Sequence, residues 1–108
     1  MPRDSLGPFE FEVLSVLQQR PRDAYGVTIH ERLEERAGRS VNVGSLYVTL
    51  ERLERKGFVA SWWGERTPER GGRRKRYYKI EAPGAEALHR FEESRSRFED
   101  GALAPQGA

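Results

Sequence analysis

The chain has 108 residues, 36% hydrophobic and 33% charged, with a formal net charge of +2. This length suits one compact domain and excludes two ordinary ones. Cysteine is absent, which excludes disulfides, thiolate metal sites and cysteine nucleophiles. No apolar run approaches the roughly 20 residues of a membrane span, and no signal-peptide core follows Met1, so we expect a cytoplasmic protein without membrane contact.

Two helical patterns occupy the first part of the chain. Apolar residues recur at helical spacing from Pro8 to Arg20, where proline suits a first helical turn and Pro21 ends the pattern. A second helix is predicted from about Tyr25 to Ala37, with Gly38 as its C-cap. The many charges of this second segment predict a solvated face.

A third helix follows a short β-branched stretch. Ser40–Val43 predicts a brief extended piece, and the helix is expected from Gly44 or Ser45 to Lys56, where Gly57 ends it. The leucines of the helix form one stripe, which we expect to be buried, and the opposite face is largely polar. The predicted outer-face residues are Ser45, Val48, Thr49, Arg52, Arg55 and Lys56.

The next segment predicts a β-hairpin with a long tip. Phe58–Trp63 and Arg74–Ile80 are strands by composition, and Gly64–Gly72 is a loop with one proline and three glycines. Trp62 and Trp63 are adjacent, so their side chains are expected to point in opposite directions, one of them into the core. The other either covers the hairpin or lines a pocket for a small-molecule effector at a dimer interface.

Pro83 and Gly84 end the second strand, and a fourth helix is predicted to about Asp100. Its apolar residues are spaced three, four and three apart, a heptad-like seam with one charged interruption. Because this stripe is too apolar for a lone helix on a small core, it predicts a homodimer. The residues predicted for the dimer interface are Phe9, Leu88, Phe91, Arg95 and Phe98.

The order of helices followed by a hairpin predicts a mainly α fold with a small β-hairpin, that is, an α+β winged helix-turn-helix. We assign residues 6–82 to a DNA-binding domain and residues 83–100 to a C-terminal dimerisation helix. Residues 101–108 are expected to be a disordered tail.

The near-neutral total charge conceals an uneven distribution. Residues 66–79 contain seven basic residues and one acidic residue, whereas the chain from Gly84 onward has three basic and five acidic residues. A basic ribbon beside a helix is the electrostatic footprint expected for binding to duplex DNA.

The chain resembles PadR-type transcriptional regulators over about residues 6–98. The resemblance rests on Gly-Ser-Leu-Tyr at 44–47 with the leucines and glycine that follow, on Tyr25-Gly26-x-x-Ile29, and on the Arg/Lys-Tyr-Tyr segment at 73–80. Glu81 departs from it, because threonine is common there. The resemblance implies a dimeric winged-helix repressor that pairs mainly through its last helix, and a short form that lacks a larger effector-binding domain.

Several residues of the third helix are candidates for DNA contact, although an ordinary solvated face would look similar. Arg52 can reach a base edge or a phosphate, whereas Ser45 and Thr49 let the backbone approach the phosphates. Tyr47 is expected to pack its ring and to offer its hydroxyl to a phosphate. Asn42 either contacts DNA or caps the third helix.

Four consecutive bases at 73–76 are candidates in the hairpin, where alternate side chains face the minor groove or the phosphates. A solubilising edge strand is the other interpretation. The full set of predicted DNA-binding residues is Asn42, Ser45, Tyr47, Val48, Thr49, Arg52, Arg73, Arg74, Lys75 and Arg76.

Together these features predict a sequence-specific DNA-binding regulator, acting as a repressor and binding a palindromic operator as a homodimer. The alternative is a winged-helix protein-interaction module, which would expose more large apolar residues on the third helix than Val48 alone. No enzyme or cofactor is expected, because His30 and His89 lie far apart without partners at ligand or catalytic spacing. A small-molecule effector stays open and unidentified.

Overall fold

The computed structural model of the protein describes residues 5–65 and 74–103. It is an α+β winged helix-turn-helix, as predicted. The described residues form four helices and one two-stranded antiparallel sheet, which we call the wing. The elements are α1 (Pro8–Gln19), α2 (Gly26–Ala37), α3 (Val43–Arg55), β1 (Val59–Trp63), β2 (Arg76–Ile80) and α4 (Ala82–Leu103).

Helix α1 forms the centre of the core because its apolar residues occupy more than one face. Val13, Leu14 and Val16 are fully buried, and the helix packs against α2, α3, α4 and β2. The leucine stripe of α3, formed by Leu46, Leu50 and Leu53, is fully buried as predicted. Burial of this stripe fixes the direction in which the opposite face of α3 points.

The extended piece predicted at Ser40–Val43 is wrong. Residues 39–42 form a connector without strand pairing, and Val43 already belongs to α3. The third chain segment beside the wing comes instead from before α2, where Tyr25 forms a single bridge with Tyr77 and the Tyr78 N–H donates to the Ala24 carbonyl at 2.8 Å. The backbone of the connector bonds to α2 instead, where His30 contacts the Val41 carbonyl and Glu34 accepts from the Val41 N–H.

Both tryptophans of β1 are exposed, so the prediction that one lies in the core is wrong. Trp62 stacks on Tyr77 with ring centroids 5.8 Å apart, and Trp63 lies beside the Arg76 guanidinium at 5.4 Å. The reason is that both lie in the outer half of the wing, toward the hairpin tip, where the helices leave their side chains uncovered. Val59 and Tyr78, at the inner part of the sheet, are buried.

The predicted seam of α4 divides into an inner and an outer part. Leu88 is buried in the chain's own core, and Phe91 stacks on Phe11 at 4.5 Å, so the assignment of Leu88 to a dimer interface is wrong. Arg95 places its guanidinium 5.1 Å from the Phe11 ring. Only Phe98, 77% exposed, stands away from the core.

Helix α4 also runs three residues beyond the predicted end at Asp100, so residues 101–103 are helical rather than part of a tail. Residues 104–108 lie outside the described part of the chain. Among the described residues, no helix combines the length and the apolar character needed to cross a membrane.

Candidate nucleic-acid interface

The exposed face of α3 carries Ser45, Val48 and Arg52, which follow one another at helical spacing. Thr49 was expected on this face but is only 5% exposed. The reason is geometric, because position 49 lies three residues after Leu46 and four before Leu53, at the edge of the buried stripe. Its hydroxyl therefore faces the packed side of the helix.

The start of α3 is fixed by local hydrogen bonding. The Asn42 side-chain oxygen accepts from the Ser45 N–H at 2.9 Å, which satisfies one of the free donors of the first turn. The capping role considered for Asn42 is thus present in the structure. Tyr47 is half-exposed, and its hydroxyl lies over Gly26, where a Cβ atom would come within 1.9 Å of it. Only glycine leaves room for this contact between α3 and the start of α2.

The cations of α3 differ in their partners. Arg55 pairs with Glu51 one turn away. Lys56 was predicted on the outer face, but it points toward α1 and pairs with Glu10 at 2.9 Å. Arg52 is exposed, and its side chain makes no ion pair within residues 5–65 and 74–103. Among these three cations, Arg52 alone can offer its charge to a ligand without breaking an existing pair.

Arg76 is held within the protein. Its guanidinium donates to Ser61 Oγ at 2.8 Å and to Glu54 Oε1 at 3.3 Å, and Ser61 Oγ donates to Glu54 Oε2 at 2.7 Å. This network connects the end of α3 to the middle of the wing. Arg76 was predicted to contact DNA; in the structure its guanidinium pairs with Glu54 and links the end of α3 to the wing.

Sequence reasoning missed Glu54 and Ser61 as members of this network. In the sequence, Glu54 is one of several charged residues of the third helix, and Ser61 lies within the predicted strand Phe58–Trp63. Glu54 belongs to the helix and Ser61 to the strand after the turn at Gly57, so no single helical or strand period relates them and no local signal could have paired them.

Lys75 also has partners inside the chain. Its Nζ lies 4.4 Å from the centre of the Tyr25 ring and 3.4 Å from the Tyr25 hydroxyl. Tyr25 in turn meets Tyr77 edge-on, with ring centroids 5.5 Å apart. This aromatic cluster joins the outer half of the wing, where Tyr77 pairs with Trp62, to the connector before α2.

Arg74 is the remaining described member of the basic run. It is exposed, precedes β2, and its side chain makes no ion pair with another residue that the structure describes. Arg73 lies outside the described residues. Among the predicted DNA-contacting cations that the structure describes, Arg52 on α3 and Arg74 before β2 therefore carry positive charge that no described ion pair offsets.

Among the described residues, burial affects the ionisation of Tyr78 most clearly. The pKa of the Tyr78 hydroxyl is raised above 10.0, mainly because burial disfavours its charged form, although the nearby Arg76 opposes the shift. Tyr78 therefore stays neutral at physiological pH and adds no negative charge beside the wing cations.

No arrangement for metal binding occurs among the described residues. His30 instead contacts the Val41 carbonyl with Nε2 at 2.6 Å, and Glu34 accepts from the Val41 N–H at 2.9 Å. Both contacts hold the connector that leads into α3. The histidine thus has a structural use that its sequence context did not reveal.

The model of the transcriptional regulator PadR-like family matches residues 13–90. A PadR-like transcription factor from Bacteroides fragilis is 26% identical over 88% of this chain and 86% of its own, with a TM-score of 0.74. A PadR family transcription regulator from Clostridium difficile is 25% identical over 90% of this chain and 95% of its own, with a TM-score of 0.68.

Bacillus subtilis PadR in complex with operator DNA shares the fold at a TM-score of 0.64 and 21% identity, over 77% of this chain and 46% of its own. No curated protein sequence matches significantly. The matched family and structures are transcription regulators, which confirms the prediction that the chain is not an enzyme.

Proposed function

Because the chain belongs to the PadR-like family of transcriptional regulators, we propose that it binds duplex DNA with sequence preference through α3 and the wing. The observation that carries this proposal is the pairing pattern of the cations. Arg55, Lys56 and Arg76 are balanced by acidic partners, whereas Arg52 and Arg74 have no acidic partner in the described part of the chain. Two unpaired cations on adjacent elements suit contact with phosphates and base edges.

The network of Glu54, Ser61 and Arg76 supports the same proposal from a second direction. It links the wing to α3, so the two elements and the free cations beside them are partly preorganised. A preorganised surface loses less conformational entropy when it binds, which favours affinity. In the helix-turn-helix motif the recognition helix lies in the major groove, and a Bacillus subtilis protein with the same fold forms a complex with operator DNA.

We further propose that the protein acts as a homodimeric repressor on a palindromic operator in the cytoplasm. Residues 92–98 of α4 are all exposed, and Phe98 is the large apolar side chain among them. A helix of 22 residues spans about 33 Å, so this outer half reaches well past the core. Pairing two such halves buries Phe98 and places two copies of α3 on successive half-sites of an operator, which that dimer would then occlude.

Replacing Phe98 by lysine is expected to convert the dimer to a monomer in analytical ultracentrifugation, because a buried charge at the seam disfavours association. Phe91→Lys is unsuitable for this test, since Phe91 stacks on the chain's own Phe11. Ser96→Lys adds the same charge at another exposed position of α4 and should stay dimeric. A wild-type chain that is monomeric at micromolar concentration contradicts the dimer.

The variants Arg52→Ala and Arg74→Ala are expected to weaken DNA binding in different ways. Arg52 lies on the exposed face of α3, so its loss should cost on the order of 1–3 kcal/mol on a preferred duplex and relax sequence preference locally. Arg74 should act on the backbone, so its loss should weaken all duplexes alike and lower the salt slope by about 1. Titrations at several salt concentrations, on selected and scrambled duplexes, separate the two effects.

Arg55→Ala is the matched control, because it removes an arginine of the same helix whose charge is already paired with Glu51. It should change affinity much less than Arg52→Ala. Equal, salt-independent losses for Arg52→Ala and Arg74→Ala contradict the division of roles. Absence of binding to any duplex at low salt overturns the proposed function and favours the protein-interaction module, for which Tyr47 and Val43 add exposed apolar surface beside Val48.

A further inference from the structure

Exposed apolar side chains are concentrated at the N-terminal ends of α2 and α3. Four of the seven large hydrophobic residues that are exposed in the described part of the chain lie there. The contact between Tyr47 and Gly26 brings the two helix ends together. The four residues are Val27, Val43, Tyr47 and Val48.

Folding does not account for Val48. Its side chain is 55% exposed and belongs to no packed cluster. A β-branched residue also loses rotamer freedom in a helix, so valine is a poorer choice than alanine or a long polar residue on a solvent-facing turn. The position between Ser45 and Arg52 on the exposed face is, however, the one from which a helix in the major groove reaches base edges.

The neighbouring residues limit what the start of α3 can read. Residues 43–51 contain no arginine, lysine, asparagine or glutamine, the side chains that form bidentate hydrogen bonds with purines or with guanine. The Asn42 side-chain oxygen is occupied by the Ser45 N–H. Glu51, which could accept from a cytosine amino group, pairs with Arg55. Base recognition by this part of the helix is therefore left to hydroxyl groups and to apolar contact.

We propose that Val48 reads the 5-methyl group of thymine in the major groove, and so selects an A·T pair at one position of each half-site. The proposal rests on the proposed function, since it requires α3 to enter the groove. Thymine is the base that presents an apolar group there, and contact with an aliphatic side chain is a recognised mode of reading it. Arg52, one turn further along α3, would lie near the neighbouring bases.

The test removes one methyl group at a time from the DNA. A preferred duplex is first selected from a random pool with the full chain, and each thymine is then replaced singly by 2′-deoxyuridine, which keeps base pairing. Binding is measured by fluorescence anisotropy at fixed salt. We expect one thymine in each half-site whose replacement weakens wild-type binding by about three- to tenfold, as loss of a buried methyl contact predicts.

Val48→Ala completes the cycle from the protein side. The variant should lose affinity for the thymine duplex by a similar factor, and the critical replacement by uracil should then cost clearly less than in the wild type, because the alanine Cβ makes a smaller contact. Val27→Ala makes the same chemical change at an exposed valine outside α3 and should keep the full uracil penalty. The melting temperatures of both variants, followed by circular dichroism, should be no lower than that of the wild type, because both side chains are exposed and alanine favours the helix.

The outcomes separate this inference from the proposed function. If the pool yields no preferred duplex, the proposed function fails and the inference fails with it. If a preferred duplex is bound but no uracil replacement matters, the inference alone is wrong. The inference is also wrong if the uracil penalty persists unchanged in Val48→Ala, because the methyl group is then read by another residue.

Discussion

Replacing Lys56 by methionine is expected to lower the free energy of unfolding by about 3 kcal/mol or more, because it leaves a buried carboxylate without its counter-charge. Glu10 is only 6% exposed. Lys56 Nζ lies 3.0 Å and 2.9 Å from the two carboxylate oxygens of Glu10 and 3.1 Å from the Ser5 carbonyl oxygen. Methionine keeps the apolar stem of lysine but removes the charge, so the loss reports on the ion pair rather than on packing.

Two further variants isolate the cause. Arg55→Met changes the adjacent residue, whose ion pair with Glu51 is exposed, and should cost less than about 0.5 kcal/mol. Glu10→Gln combined with Lys56→Met removes both charges and keeps an oxygen for the Gly7 N–H, which donates to Glu10 at 2.9 Å. The double variant should recover much of the lost stability in urea titrations followed by circular dichroism. A Lys56→Met variant no less stable than Arg55→Met contradicts the prediction.

Replacing Gly84 by alanine is expected to destabilise the protein by about 3 kcal/mol, near the upper end of what overpacking usually costs. A Cβ atom at this position would lie 2.2 Å from the Phe58 carbonyl oxygen and 3.1 Å from an Ile80 side-chain carbon. The same carbonyl accepts a hydrogen bond from the Glu81 N–H at 2.8 Å. The first turn of α4 would have to move away from the wing, and the hydrogen bond would be strained with it.

The sign of the change in the free energy of unfolding distinguishes a crowded glycine from an open one. In an open helical position, alanine in place of glycine stabilises by about 1 kcal/mol, whereas here it should destabilise. Gly7→Ala is a suitable control, since a Cβ there would have only an ordinary contact of 3.9 Å with a Glu10 carboxylate oxygen, and it should change the melting temperature little. A Gly84→Ala variant that is more stable than the wild type contradicts the close approach of α4 to the wing.

The helices, the hairpin and the family resemblance could be predicted from the sequence because their signals are local. The leucine spacing in α3 defines a buried stripe wherever the helix packs, and Gly38 and Gly57 end α2 and α3 with positive φ angles. Gly84 was recognised as a break between strand and helix. Its close approach to Phe58 became apparent only when the two segments were brought together.

The candidate site was predicted only in part, because charge in a sequence does not show which cations are already paired. Arg52, Arg74 and Arg76 look alike along the chain, but Glu54 binds Arg76 and leaves the other two without an acidic partner among the described residues. Partners such as these come from positions far apart in sequence or across a turn, so no periodicity pairs them.

The sequence by itself determined the elements of this protein, their order and the polar side of α3, since each follows from periodicity, capping and turn chemistry within a short segment. The tertiary structure alone decided which surface each element keeps free. Thr49 and Leu88 are buried because their neighbours in space are apolar, and Trp62 is exposed because the helices leave its side chain in the outer half of the wing uncovered. Burial and ion pairing depend on what a residue meets after folding, and that is a property of the whole fold rather than of any segment.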